Sequence, residues 1–137
     1  YPENARNEEY RRQLEEILAA GVCPFCPEHL GTYKSEPIII EGLFWRVTKV
    51  DPHVSYEKSG ALGHIMLVCR FHVRFETELT IEAMAEFHEF KRRITKELGL
   101  PHCTLIMHEG GPATGQTVAH LHAQLVSAGE EPILTRV

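Results

Sequence analysis

Near the end of the chain, His120-Leu-His-Ala-Gln-Leu-Val126 sets two imidazoles and a carboxamide at every second position. In a strand such positions share one face and stand roughly 6.6–7 Å apart. Val118 and Val126 continue that parity, while Ala119, Leu121, Ala123 and Leu125 form a wholly apolar opposite face. A single strand histidine is ordinarily structural. Two at i and i+2 with a glutamine at i+4 make a row of groups able to bind, orient and attack. Uncharged imidazole is a competent nucleophile toward phosphorus near neutral pH. A carboxamide can donate a hydrogen bond to a phosphate oxygen but cannot give a proton to a leaving group. The pattern predicts an active-site strand over residues 117–126.

Just before it, residues 109–116 carry Gly110, Gly111 and Gly115. Glycines let backbone amides approach an anion closely, and successive amides in a turn form a phosphate nest. Such a loop is common on surfaces, but here it leads directly into the imidazoles. Amides at Gly115, Gln116 and Thr117 are therefore expected beside a bound phosphate. Cys23-Pro-Phe-Cys26 supplies the third constellation. The spacing suits half of a tetrahedral zinc site, a redox motif or two ordinary thiols. There is no second cysteine pair nearby, so a metal would recruit histidines, with His29, His72 and His120 as candidates. Cys69 and Cys103 lie in apolar stretches and read as small buried hydrophobes.

The elements that must position these groups follow from periodicity. Asn7 is expected to cap a helix over 7–20, with Glu8 and Glu9 in its first turn and Gly21 at its stop. Tyr10, Leu14, Ile17 and Leu18 give it an amphipathic stripe. Pro24 and Pro27 bend a tight knuckle. Strands are expected at 37–40 and 43–50, around Glu41-Gly42, then at 64–70 and 103–107. Residues 51–62 read as a long loop. Thr80 caps a second helix to residue 98, burying Ala83, Phe87, Phe90, Ile94 and Leu98. This order indicates one α+β domain over 1–137, with a largely antiparallel sheet and helices packed on it.

The chain has 137 residues, 43% of them hydrophobic, which suits one core. A net charge of -5 argues against general nucleic-acid binding but not against a small anionic ligand. No apolar run has the length of a membrane span, and the polar opening at Tyr1 does not read as a signal peptide. Four cysteines without such a signal point to a reducing compartment and a cytoplasmic setting.

The segment His120-Leu-His-Ala-Gln-Leu-Val126 resembles the signature of the histidine triad (HIT) superfamily. Gly115-Gln-Thr-Val118, Gly63-His-Ile-Met-Leu-Val68 and Cys23-Pro-Phe-Cys26 are similar to its other motifs, in the same order. The resemblance implies a HIT-like meander sheet with two main helices, an N-terminal zinc knuckle and often a homodimer. It also implies binding of a nucleotide or dinucleotide and chemistry at its α-phosphate. The family's nucleophile maps to His122, forming a covalent nucleotidyl-imidazole. The zinc ligands map to Cys23, Cys26, His72 and His120. Gln124 in the third position is similar to the nucleotidyl transferase and dinucleoside-polyphosphate phosphorylase branches, so hydrolase and transferase both remain open. Departures from the family pattern are His108, where members carry Asn or Gln, and Lys49, near the usual ribose-binding acid. Arg70-Phe-His72 is one residue shorter than the family motif, which leaves His29 as a rival ligand. His108, Gly115, Gln116 and Thr117 are the expected nucleotide contacts. A zinc-stabilised binding or regulatory module without catalysis is the alternative reading.

Overall fold

Antiparallel pairing between sequence-distant strands brings the three constellations together. The computed structural model describes residues 1–52, 55, 57, 61–100 and 102–128. Half of the expected loop at 51–62 lies outside the described residues. The strands are β1 (Ile38–Glu41), β2 (Trp45–Lys49), β3 (Gly63–Cys69), β4 (Cys103–Ile106) and β5 (His122–Ser127). Their spatial order is β1-β2-β3-β5-β4, and every pairing is antiparallel. The first three strands meander. The chain then crosses along a helix to the far edge and returns to place β5 between β3 and β4. β5 thus occupies an interior position, with Val68 opposite His122 and Met66 opposite Gln124.

Among the described residues, three α-helices flank the sheet: α1 (Glu8–Ala20), α2 (Pro27–Tyr33) and α3 (Ile81–Glu97). The expected caps form. Asn7 accepts from the Tyr10 amide at 2.8 Å, and Gly21 closes α1 in the left-handed region at φ 70°. Thr80 accepts from the Ala83 amide at 3.2 Å to start α3. Of the expected buried stripes, Leu14 and Ile17 on α1 and Ala83, Phe87, Phe90 and Ile94 on α3 are buried. Leu18 and Leu98 are exposed. The α2 helix was not expected. Pro27, taken for a bend, occupies the helix's first turn, where a missing N–H costs nothing.

The period-two reading of β5 holds. Leu121, Ala123 and Leu125 enter the main core with Trp45, Val47, Ile65, Leu67, Cys69 and the buried side of α3. The opposite face meets a smaller cluster of Val50, Met66 and Val68 with Phe25 packed on it. The expected strand over 117–126 is corrected at its start: regular pairing begins only at His122, and residues 117–120 bend. The bend lets His120 turn toward the cysteines. Leu121 still donates to the Val73 carbonyl at 2.8 Å.

Candidate active site and metal centre

Cys23, Cys26, His72 and His120 converge, although they come from the turn before α2, the loop after β3 and the bend before β5. Their four donor atoms lie within 4.8 Å of one another. Cys23 Sγ is 3.4 Å from His120 Nδ1, Cys26 Sγ is 3.3 Å from His72 Nδ1, and Cys26 Sγ is 3.7 Å from His120 Nδ1. Sulfur at roughly 2.3 Å and nitrogen at roughly 2.0 Å from one zinc, at tetrahedral angles, place the ligands roughly 3.3–3.8 Å apart. These three edges fall in that range, all four donors lie within 4.8 Å of one another, and the donor chemistry suits zinc. The fully buried His120 donates from Nε2 to the Cys69 carbonyl at 2.6 Å, which leaves Nδ1 unprotonated for a metal. Burial, and then the adjacent Cys23, push the Cys26 thiol up to about 12. Coordination to a dication would reverse that, because a ligating thiol is deprotonated. His29, the rival ligand, is outside the group; its backbone amide donates to Cys26 in the first turn of α2.

His122 sits on the cavity side of β5. It donates from Nδ1 to the His120 carbonyl at 2.7 Å, so its unprotonated nitrogen is Nε2. Burial lowers its pKa to about 4, the His120 carbonyl opposes this, and the neighbouring His120 and His108 add to the lowering. Near neutral pH the ring is uncharged and carries a free lone pair. Phe25 meets it edge-on, with centroids 4.8 Å apart. This ring belongs to the cysteine knuckle, so the metal-binding turn also walls the imidazole. Sequence reading passed over Phe25, and its place between the two cysteines was the available signal.

Gln124 accepts through Oε1 from His64 Nε2 at 2.6 Å. The carboxamide NH₂ is left as its donor end. His64 is fully buried on β3, and sequence reading assigned it no role. A cavity of about 670 Å³ opens beside these residues, within the range for small-molecule sites. It is bordered by His122, Gln124, His108, Gly115 and Thr117, and on other sides by α1, α2 and the segment 3–6. His108 Nε2 is buried there with no hydrogen-bond partner, an acceptor or donor that a ligand would satisfy. Burial lowers the His108 pKa.

The glycine-rich loop departs from expectation in two places. The Gly115 amide donates to Pro112 at 3.0 Å, so it closes a turn instead of facing an anion. Gln116 does not border the cavity; its Oε1 accepts from the Gly111 amide at 3.1 Å and braces the loop. Thr117 remains at the cavity wall. Lys49 is exposed and does not border the cavity, whereas Asp51 does. Asp51 pairs with Lys34 at 2.8 Å. Burial would raise its pKa, but Lys34 and the amides of Ser35 and Glu36 outweigh burial and hold it low.

No protein-family model and no curated protein matches the chain. Solved structures do. A HIT family hydrolase from Clostridium thermocellum shares 23% identity, with a TM-score of 0.63 over 82% of this chain and 96% of the other. A Zn-bound histidine triad family protein from Mycobacterium smegmatis shares 20% identity, with a TM-score of 0.60 over 85% and 81%. A diadenosine triphosphate hydrolase from Plasmodium falciparum shares 19% identity, with a TM-score of 0.54 over 72% and 65%. The chain has the fold of the histidine triad proteins, and its Cys–His group is one that can hold a metal ion.

Proposed function

We propose that this chain is a zinc-containing member of the histidine triad superfamily acting at the α-phosphate of a nucleotide or dinucleoside polyphosphate, as hydrolase or nucleotidyl transferase. One observation carries the reading: a buried, uncharged His122 at the cavity wall whose Nδ1 is tied to the His120 carbonyl, which leaves the lone pair on Nε2. Its lone pair attacks the α-phosphorus. The phosphorus–oxygen bond to the leaving group breaks, and the departing oxygen keeps the electron pair. Water or a phosphorylated acceptor then attacks phosphorus and releases the imidazole. Gln124 donates to a phosphate oxygen, oriented by His64. Thr117 and His108 contact phosphate or ribose. Zinc held by Cys23, Cys26, His72 and His120 is structural in this reading: it ties the knuckle to the bend whose carbonyl orients His122.

A homodimer joined through an open sheet edge belongs to the same reading, supported by edge strand β4 with its exposed Leu105. Light scattering of the purified chain tests it. A reducing, cytoplasmic setting suits four cysteines that form no disulfide among the described residues. No described helix is long and apolar enough to cross a membrane.

The test of catalysis is a panel of α-labelled nucleotides and dinucleoside polyphosphates. The wild-type chain should form an acid-labile, alkali-stable adduct and turn over at least one member. His122→Ala should abolish the adduct and cut turnover by about 10³-fold or more. Nucleotide binding by the wild type without adduct or turnover would instead favour the binding module.

A further inference from the structure

His108 stands beside the strand that carries His122. The last regular β4–β5 pair is Ile106 with Gln124. Two positions further along that register are His108 on the chain leaving β4 and His122 on β5. Alternation outlives the pairing: Ile106 and His108 border the cavity, whereas Met107 between them packs against the main core. The cavity side of the sheet therefore carries Gln124, His122 and His108 together. A charge on His108 reaches His122 and lowers its pKa, as expected of neighbouring rings. The glycine-rich loop packs against His108, where a Cβ on Gly115 would stand 3.5 Å from its Cε1. Nε2 of the ring is buried without a hydrogen-bond partner among the described residues, which leaves that atom to a ligand or a water.

We infer that Nε2 of His108 takes the proton from the water that attacks the nucleotidyl-His122 phosphorus, so that water is the acceptor this site is built to use. The inference rests on the covalent step proposed above and separates its two outcomes. The first step moves no proton when the leaving oxygen belongs to a phosphate. The second step differs. The water oxygen bonds to phosphorus, the phosphorus–nitrogen bond breaks, and its electron pair returns to Nε2 of His122. One proton must leave that water, and it passes to His108 and then to solvent. A phosphorylated acceptor attacks through an oxygen that is already anionic and needs no base. Other groups at the wall are poorly suited to the task. Gln124 is a carboxamide whose Oε1 already accepts from His64. Asp51 is engaged by Lys34 and by the amides of Ser35 and Glu36. The Tyr10 hydroxyl pairs with Thr117 Oγ1. Glu3 is exposed and belongs to the segment before α1, not to the sheet. His122 is itself occupied by phosphorus, which leaves His108 as the second imidazole at the cavity. Burial lowers the His108 pKa, which keeps its ring uncharged and able to accept a proton near neutral pH.

Rapid-quench kinetics on the zinc-replete chain separates the two steps, with α-labelled adenosine, guanosine and uridine triphosphates and their dinucleoside polyphosphates as probes. The wild type should form the adduct and lose it in water. His108→Asn keeps a hydrogen-bond donor at the position but cannot take a proton. Its adduct should decay in water about 10²-fold or more slowly, while formation slows by less than about tenfold, so that adduct accumulates. Inorganic phosphate, which needs no base, should release the nucleotide from variant and wild type at rates within about threefold of each other. In heavy water the wild-type adduct should decay more slowly while its formation is unchanged, a readout that requires no variant. Three results would each overturn the inference and leave the proposed reaction standing: a variant adduct that decays at the wild-type rate, formation and decay that fall together, or wild-type decay equal in light and heavy water. If the wild type forms no adduct and turns over none of the probes, the proposed reaction falls, and this inference with it.

Discussion

At the residue scale, the same backbone carbonyls and strand neighbours that hold three imidazoles also set their protonation. His64 is the clearest case. Burial lowers its pKa to about 4; the Gln124 contact opposes this, and the Arg6 and Lys34 charges reinforce it. Because the folded value lies below that of an exposed histidine, the unfolded chain binds the extra proton as pH falls from about 6.5 to about 4. Stability from this residue is intact above that window and lost progressively through it, on the order of 3 kcal/mol in all. Denaturant titrations of the wild type should therefore show a steeper acid loss than those of His64→Gln between pH 6.5 and 4. Parallel curves would mean that His64 is not held neutral. Sequence made the His120, His122 and Gln124 row legible because period two is local. It left His64 silent, since its partner lies 60 positions away and only the β3–β5 register brings them together.

At the element scale, one carboxylate fastens the helix layer to the sheet. Glu86 on α3 accepts from the amides of Leu43, Phe44 and Trp45 at 3.1, 2.9 and 2.9 Å, capping the connection between β1 and β2. Gly42 is required beside it: a Cβ there would lie 2.1 Å from Glu86 Oε1. Removing the acceptor strands three amides, so Glu86→Ala should destabilise the fold by about 2–4 kcal/mol. Thermal melts check this, and a loss under 0.5 kcal/mol would show that water replaces the carboxylate. Both long helices were legible because their stripes and caps agree. The α2 helix was not, because seven residues are too few to show a period and Pro27 signals a bend as readily as a helix start. The first five residues of the expected final strand were misread for a related reason. Alternation continues through 117–120, but the pull of His120 toward two distant thiols overrides it.

At the scale of the whole molecule, the metal-binding group is the joint between the N-terminal third and the sheet. Cys23 and His120 are 97 positions apart, and His72 adds the loop after β3 to the same point. A cross-link closing a loop of that length removes unfolded-state entropy on the order of 4–5 kcal/mol in the chain-entropy picture. Losing the metal should therefore lower Tm by about 10–15 °C for a chain of this size. It should also weaken the proposed catalysis without touching substrate, because the Cys23–Cys26 turn carries Phe25 against His122 and His120 carries the carbonyl that fixes the His122 tautomer. The experiment is calorimetry and turnover with a strong chelator, followed by zinc addition, on the wild type and on Cys26→Ser. The wild type should lose and regain both Tm and turnover, with one zinc per chain by mass spectrometry. Cys26→Ser should start low and ignore the chelator. A chelated wild type that melts unchanged would reduce the four side chains to ordinary packing and leave His122 oriented by the sheet alone.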